Sequence, residues 1–343
     1  MSKPVGVIGA GSFGTAIAKI LAENNEVLLF SRKDAIVNSI NTNHIIGSIK
    51  LAENIIGTTS LEKIASFCDV IFPIIPSEHF RKMCKTLSPY IKPYHLIIHG
   101  TKGLDVTDYD LTKDQHPLHR SKVHTMSEII VQETSTYRVG CLSGPNLAKE
   151  IHEGKPTATV IASSFDEVIN VGKKVLDTKL FTVFGTNDIL GAEMAGAFKN
   201  AIAIGSGILG GLDLGKNIQS ILITRGVREM IFLAKAMGGD IKTFFGTAGI
   251  GDLVATATSS DSRNYTFGTR IGKGEKTSDI KKDMKELAEG VRTVKVMKCL
   301  ADHYGLRLPI IKMIHSVIFE DFPADRAVRY LMKYPYGVDV DFM

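Results

Sequence analysis

The sequence contains few cysteines, and they lie far apart. The four of them form no Cys-x-x-Cys pair and stand at positions Cys68, Cys84, Cys141 and Cys299. Zinc sites and disulfide frameworks need close or repeated cysteine spacings, so neither is indicated. Reduced thiols are typical of cytoplasmic proteins, and we expect a cytoplasmic location.

The sequence also lacks a strong excess of charge of one sign. It carries 41 Lys and Arg residues against 36 Asp and Glu residues, for a formal net charge of +5. No run of basic residues is long enough to form a nucleic-acid-binding arm. We therefore expect no nucleic-acid partner, and a local site for an anionic ligand accounts equally well for the small excess.

Neither a leader peptide nor a membrane span is apparent. The chain reaches a predicted strand at Val5 without the basic and apolar regions of a signal peptide. The most apolar long segment, residues 189–212, includes Glu193 and Lys199 and is rich in Gly and Ala. That composition favours a tightly packed interior helix over a membrane span.

The order of apolar patterns predicts two domains. Short β-branched runs alternate with helical patterns in the first half, starting with a strand at residues 5–8 and a helix at residues 15–22. Beyond a last strand at residues 181–184 the patterns are helical. We predict an α/β fold with an N-terminal Rossmann-type dinucleotide-binding domain at residues 1–188. A C-terminal all-helical substrate domain is predicted at residues 189–343.

A glycine-rich turn follows the first predicted strand. Gly9, Gly11 and Gly14 form a G-x-G-x-x-G pattern that also contains Ser12 and Phe13 and opens the first helix. Such glycines let the backbone approach a pyrophosphate at the helix N-terminus. In this strand–turn–helix context the five residues are predicted to bind a dinucleotide, although a similar turn also occurs without a ligand.

The end of the second predicted strand bears on the choice of cofactor. NAD sites usually place Asp or Glu there, but this strand ends in Phe30 followed by Ser31, Arg32 and Lys33. A hydroxyl and two cations suit the 2′-phosphate of NADP. We predict that NADP is tolerated or preferred to NAD. The alternative is that the two basic residues are simply solvated.

Residues 105–136 are polar and weakly periodic, and their histidines have the spacing His-x-x-His-x4-His. The three are His116, His119 and His124. These histidines could bind a metal, but no cluster of acidic or Cys ligands accompanies them, so a solvated loop followed by a helix is the preferred interpretation. No metal is predicted.

Seven motifs, in order and over nearly the full length, resemble those of NAD(P)-dependent glycerol-3-phosphate dehydrogenases. They are Gly9-x-Gly11-x-Phe13-Gly14-Thr15, Gly100-Thr101-Lys102-Gly103-Leu104, Ser143-Gly144-Pro145, Glu193-x-x-Gly196-x-x-Lys199-Asn200, Gly249-Ile250-Gly251-Asp252-Leu253, Ser262-Arg263-Asn264 and Ala288-Glu289-Gly290. The resemblance implies reversible hydride transfer between NAD(P)H and dihydroxyacetone phosphate, giving sn-glycerol 3-phosphate for glycerophospholipid synthesis.

The resemblance also implies three catalytic residues. Reducing a ketone places negative charge on its oxygen, which requires a proton donor and nearby cations. Lys199 matches the family's proton-transfer lysine, and Lys102 matches a lysine that contacts substrate and cofactor. Asp252 matches a carboxylate of the substrate site that can position a lysine. Without a substrate role, Lys102 would be an ordinary loop lysine and Asp252 a helix N-cap.

A hydroxyl, a fork-shaped cation and an amide stand side by side at Ser262, Arg263 and Asn264. They are predicted to bind the substrate, because this combination suits a phosphate monoester. The resemblance assigns Asn200, which follows Lys199 in its motif, to the substrate as well. Arg263 is also predicted to contact the cofactor. The alternative is a solvated helix start.

The remaining site residues follow from the resemblance alone. Gly144 and Asn146 match a substrate segment and Ala148 a cofactor contact, but the family usually has Ser or Thr in place of Asn146. That change puts the contact of Asn146 in doubt, because the longer amide alters its reach. Glu289 matches a glutamate near the nicotinamide or its ribose, and a surface glutamate is the alternative. Leu287 is also predicted to contact the cofactor, at a position where the family commonly has a valine.

Two other functions stay open at this point. A β-hydroxyacid dehydrogenase has a similar architecture but typically an Asn four residues after its lysine, where this chain has Ala203. A non-catalytic NAD(P)-sensing protein would need neither the lysine nor the phosphate-binding residues. The glycine-rich helices after residue 189 also suggest a homodimer.

Overall fold

The computed structural model describes residues 3–111, 113, 117–284, 288–334 and 338. The chain forms two compact units, the first of residues 1–105 and 125–193 and the second of residues 106–124 and 194–343. The division into domains at residue 188 stays a prediction, and the second unit also takes in residues 106–124. A polar segment with weak periodicity carries no signal for the core that it joins.

The elements up to residue 186 are strands and helices, which alternate except at β3–β5 and β7–β9. They are β1 (Val5–Ile8), α1 (Ser12–Ala22), β2 (Val27–Phe30), α2 (Asp34–Asn43), β3 (Ile45–Ile46), β4 (Ile49–Lys50), β5 (Ile55–Thr58), α3 (Leu61–Phe67), β6 (Val70–Pro73), α4 (Phe80–Leu87), β7 (Leu96–His99), β8 (Asp105–Val106), β9 (Val123–His124), α5 (Met126–Glu133), β10 (Val139–Ser143), α6 (Ala148–His152), β11 (Thr157–Ala162), α7 (Asp166–Leu176) and β12 (Phe181–Thr186).

The elements after residue 186 are helical throughout the described residues. They are α8 (Ile189–Gly211), α9 (Lys216–Ala236), α10 (Asp252–Thr258), α11 (Arg263–Gly272), α12 (Thr277–Asp283), α13 (Glu289–Tyr304), α14 (Pro309–Phe319) and α15 (Ala324–Met332). A π-helical turn at Thr247–Gly251 leads into α10. The predicted Rossmann-type and helical fold classes are thus confirmed.

The first unit is built on an eight-stranded sheet of order β12-β11-β10-β7-β6-β1-β2-β5. Neighbouring strands are parallel, except that β11 runs antiparallel to β10. The carboxyl ends of β1, β6 and β7 therefore meet at one edge, where open parallel sheets bind their ligands. The glycine-rich turn follows β1 at this edge, and the turn that carries Lys102 follows β7.

Two apolar clusters cover the two faces of the sheet. Val7 packs with Ile17 of α1 in one cluster, whereas its neighbour Ile8 packs with Ile64 of α3 in the other. Alternate strand residues point to opposite faces, so a strand covered by helices on both sides is apolar throughout. This burial explains the continuous β-branched runs of the sequence.

In the second unit, small residues bring the backbones of α8 and α11 together. A Cβ atom added to Gly207 would lie 2.0 Å from the carbonyl oxygen of Tyr265, and one added to Gly268 would lie 2.0 Å from that of Ile204. The predicted tightly packed interior helix is therefore confirmed. Within the described ranges, no helix is both long and apolar enough to cross a bilayer.

Candidate active site and cofactor-binding turn

Two glycines of the turn after β1 are required by its geometry. Gly9 has a φ of 125°, and a Cβ atom there would lie 2.1 Å from the carbonyl oxygen of Ile74. A Cβ atom on Gly14 would lie 1.9 Å from the carbonyl oxygen of Gly9. Both positions are therefore fixed by the close packing of the turn.

Gly11 differs, because the space in front of it is open. It is the N-cap of α1, and a Cβ atom there would meet nothing within 4 Å. The first turn of the helix leaves N–H groups at Ser12 and Phe13 without helical partners and contains no acidic residue. This cradle fits the pyrophosphate of a dinucleotide, which the helix dipole would stabilise.

The end of β2 presents a hydroxyl and cations. Ser31 is buried, and its Oγ accepts a hydrogen bond from the backbone N–H of Lys33 at 3.2 Å. Arg32 and Lys33 are exposed, and Asp34 begins α2. The structure therefore places no acidic side chain at residues 30–33, the position at which NAD sites usually carry one.

The structure brings Lys102 and Gly144 together. Two hydrogen bonds hold the turn after β7 against the end of β6 and the residues that follow it. The Gly100 N–H donates to the Pro73 carbonyl at 2.9 Å, and the Thr101 hydroxyl donates to the Ile75 carbonyl at 2.7 Å. The half-buried Lys102 donates from Nζ to the Gly144 carbonyl at 3.0 Å. Lys102 thus lies on a fixed turn at the carboxyl edge of the sheet.

The side-chain amide of Asn146 hydrogen-bonds to β11. Its Nδ2 donates to the Ala158 carbonyl at 3.1 Å, and its Oδ1 accepts from the Thr159 hydroxyl at 2.9 Å. The predicted substrate contact of Asn146 would have to use the second amide hydrogen. Ala148 begins α6 and is half-buried. No motif of the sequence points to Thr159, which lies on β11.

Lys199, Asp252 and Thr256 form a buried polar cluster in the second unit. The Lys199 ammonium donates to Oδ1 of Asp252 and, at 2.6 Å, to the Thr256 hydroxyl. Gly251 rather than Asp252 is the N-cap of α10, so the N-cap alternative for Asp252 does not hold. Thr256 was missed by the sequence analysis, although it lies one helical turn after Asp252.

A second group of hydrogen-bonded residues beside this cluster consists of Asn200, Asn264 and Gly290. Nδ2 of Asn264 donates to Oδ1 of Asn200 at 2.9 Å, and Oδ1 of Asn264 accepts from the Gly290 N–H at 2.9 Å. A Cβ atom on Gly290 would lie 2.5 Å from the Asn200 carbonyl oxygen. These bonds join α8, α11 and the start of α13.

The other predicted residues of this unit lie at helix starts. Ser262 is the N-cap of α11, and its hydroxyl accepts from the Tyr265 N–H at 3.3 Å. Arg263 is the first residue of that helix and is exposed. Glu289 is half-buried and begins α13, whereas Leu287 lies outside the described residues.

The histidine-rich segment gives no metal centre in the part of the chain that the structure describes. No three His, Cys, Asp or Glu side chains there are grouped to hold a metal ion. His116 lies outside this part. His119 packs edge-on against His303, with ring centroids 4.8 Å apart, and Nε2 of His124 lies 3.1 Å from the Thr107 hydroxyl.

Family models match both halves of the chain. The model for the N-terminus of NAD-dependent glycerol-3-phosphate dehydrogenase matches residues 4–169. The model for the C-terminus of the same family matches residues 188–329. Together they cover the cofactor-binding turn and the Lys199 cluster.

Individual relatives agree over nearly the full length. The chain is 37% identical to a glycerol-3-phosphate dehydrogenase (NAD(P)+) of Teredinibacter turnerae, covering 98% of this chain and 96% of the relative. It is 36% identical to one of Staphylococcus epidermidis, covering 96% and 98%. The crystal structure of glycerol-3-phosphate dehydrogenase from Coxiella burnetii has a TM-score of 0.85 at 29% identity, covering 97% and 99%. This chain therefore belongs to the NAD-dependent glycerol-3-phosphate dehydrogenase family.

Proposed function

We propose that this protein reduces dihydroxyacetone phosphate reversibly to sn-glycerol 3-phosphate with NADPH or NADH. The observation that carries the proposal is the buried Lys199–Asp252–Thr256 cluster in a chain of this family. A lysine enclosed with a carboxylate and a hydroxyl is held in one orientation, as a positioned proton donor must be.

Lys199 supplies the proton to the oxygen of the substrate carbonyl as negative charge develops there. Asp252 and Thr256 hold the ammonium, so little reorganisation is needed during the reaction. We assign Lys102 as a second cation that contacts substrate and cofactor. When bound, the nicotinamide supplies the hydride to carbon 2.

Arg263 is assigned to the substrate phosphate. Its guanidinium binds a phosphate through two parallel hydrogen bonds, and the start of α11 adds a favourable dipole. Asn200 and Asn264 already bond to each other, so we assign them to shaping the site and to contacts through their remaining amide hydrogens. Ser262 caps the helix that presents Arg263.

Residues 1–188 are proposed to hold the cofactor and residues 189–343 the substrate. Gly9, Gly11, Ser12, Phe13 and Gly14 cradle the pyrophosphate. Ser31, Arg32 and Lys33 make the site tolerant of NADP, with which the enzyme would work towards glycerol 3-phosphate for glycerophospholipids. Further proposed contacts on the cofactor side are Ala148, Arg263, Leu287 and Glu289. We further propose a cytoplasmic homodimer.

Family membership favours this function over the two alternatives. A β-hydroxyacid dehydrogenase would carry an Asn at the position of Ala203, which is instead a fully buried alanine. A sensor without turnover would not need a buried lysine, because enclosing an ammonium costs several kcal/mol even when it is paired.

The test is absorbance at 340 nm with purified protein, dihydroxyacetone phosphate and NADPH or NADH in parallel. Unphosphorylated dihydroxyacetone is the matched control substrate. We expect rapid oxidation only with the phosphorylated ketone, at comparable or higher efficiency with NADPH. Cofactor binding without oxidation of either nucleotide would contradict the proposed activity, and a strong NADH preference would contradict the proposed tolerance of NADP.

A further inference from the structure

A buried carboxylate in the first unit has no part in the roles assigned above. Glu193, near the start of α8, and His99, the last residue of β7, have 4% and 1% of their side chains exposed. Nε2 of His99 lies 2.9 Å from Oε1 of Glu193. The same carboxylate accepts hydrogen bonds from the Ser127 N–H, at 2.8 Å, and from the Ser127 hydroxyl.

These contacts favour the ionised form of Glu193. Burial raises its pKa, but hydrogen bonds from His99 and Ser127 outweigh that effect, and the net pKa is lower than usual. Nε2 of His99 is therefore the donor of the pair. Nδ1 of His99 is buried without a hydrogen-bond partner among the described residues. Within this part of the chain, Glu193 is the hydrogen-bond partner that orients the His99 ring.

His99 lies directly before the turn that carries Lys102. Between His99 and Lys102, Gly100 and Thr101 donate hydrogen bonds to the carbonyl groups of Pro73 and Ile75. At the strand end that precedes them, Glu193 holds the His99 ring. Since Lys102 is three residues after His99 and donates to the Gly144 carbonyl, movement of the strand end would be passed to its ammonium.

We propose that Glu193 is a positioning residue for Lys102, acting through His99. This inference rests on the proposed function, in which Lys102 contacts substrate and cofactor. Burying a carboxylate costs several kcal/mol of desolvation free energy, which an apolar residue in the same space would avoid. Packing alone therefore does not explain a glutamate at this position. A displacement of about 1 Å in a reacting site can lower a rate roughly a hundredfold, so holding one ammonium in place has a large effect.

Three variants separate positioning from simple stability. Glu193→Ala removes the acceptor. Glu193→Gln keeps an oxygen for His99 and for the Ser127 N–H, while its amide donates to the Ser127 hydroxyl. His99→Leu leaves Glu193 bonded to Ser127 but detaches it from β7. Glu229→Ala is the matched control, because Glu229 is another fully buried glutamate that accepts backbone N–H bonds at a helix start, here from Ile310 and Ile311.

We expect Glu193→Ala and His99→Leu to lower kcat at least tenfold while the KM for NADPH changes less than threefold. Glu193→Gln should restore kcat to within threefold of the wild type. Amide hydrogen exchange of the 100–104 segment, followed by mass spectrometry, should be at least tenfold faster in the first two variants. Glu229→Ala should leave kcat per folded molecule and this exchange unchanged.

Wild-type kcat and wild-type exchange in Glu193→Ala would overturn the proposal. So would a Glu193→Gln variant as impaired as Glu193→Ala, since hydrogen-bonding geometry would then not be sufficient. If Glu193→Ala does not fold, His99→Leu decides by the same criteria. If the wild type shows no turnover, the proposed function fails, and the exchange rates still decide whether Glu193 fixes the turn.

Discussion

The Lys199 ammonium and the Asp252 carboxylate form an ion pair in which 6% and 1% of the two side chains are exposed. Desolvating such groups costs several kcal/mol each, and good geometry with further hydrogen bonds is needed to offset it. The Thr256 hydroxyl supplies one of these bonds. Loss of any one member should therefore disturb the other two.

Thr256→Val tests the hydroxyl, which only the structure revealed. The isosteric change leaves the ammonium with one fewer acceptor, a loss of about 1–3 kcal/mol. We expect kcat to fall roughly tenfold or more, with little change in the KM for NADPH. Thr256→Ser, which keeps the hydroxyl, should stay close to the wild type. Equal kcat values for the Val and Ser variants would remove Thr256 from the mechanism.

Arg263→Ala tests the phosphate site. Hydrogen bonds to charged groups contribute about 1.5–3 kcal/mol, so the KM for dihydroxyacetone phosphate should rise roughly ten- to a hundredfold. The efficiency with unphosphorylated dihydroxyacetone should not change. Arg263→Lys keeps the charge but loses the fork-shaped guanidinium, so its KM for dihydroxyacetone phosphate should lie between those of the wild type and Arg263→Ala. A similar loss for both substrates would show that Arg263 does not bind the phosphate.

Gly11→Ala should weaken cofactor binding without lowering stability, whereas Gly14→Ala should lower stability. An added methyl at Gly11 meets no protein atom within 4 Å, so the melting temperature should stay unchanged while affinity for the cofactor falls at least tenfold. At Gly14 the methyl would lie 1.9 Å from a backbone oxygen, and the variant should lose several degrees or fail to fold. Wild-type NADPH binding by a folded Gly11→Ala protein would contradict the proposed pyrophosphate cradle.

Glu229 should make stability depend on pH. Burial raises the pKa of Glu229 to about 8, against the opposing effect of the N–H groups of Ile310 and Ile311. The folded state thus binds a proton that the unfolded state has released. The stabilising contribution is complete below about pH 4.5 and is lost as the pH rises through about 8.

The Glu229→Gln side chain cannot ionise, so the stability of this variant relative to the wild type should increase as the pH rises. Between pH 5 and 9, the difference in unfolding free energy should shift towards the variant by on the order of 3–5 kcal/mol. Urea denaturation of both proteins at several pH values measures this difference. Parallel stability curves for the two proteins would show that Glu229 does not titrate in this range.

Local patterns were sufficient to predict the first strand, the glycine-rich turn and the helical second half. The turn after β1 depends on residues that are close in sequence, and its glycines are dictated by sterics. Thr256 could have been found too, because it lies one helical turn after Asp252 and therefore on the same face of α10.

Contacts between distant segments could not be predicted in this way. His99 and Glu193 are 94 residues apart, and neither stands in a pattern that names the other. The amide atoms of Asn146 bond to β11, whose proximity depends on strand order, and the substrate contact of Asn146 stays a prediction. The packing of residues 106–124 on the second unit is likewise a property of the folded chain.

The turnover of Lys199→Met tests most directly whether Lys199 supplies the proton. Because that change leaves the buried Asp252 carboxylate without its cation, the double variant Lys199→Met/Asp252→Asn, which removes both charges, serves as a control for folding. Oxidation of NADPH by dihydroxyacetone phosphate should fall about a hundred- to ten-thousandfold in both variants, with NADPH fluorescence still reporting binding. A kcat within a few-fold of the wild type in either folded variant would show that Lys199 is not the proton donor.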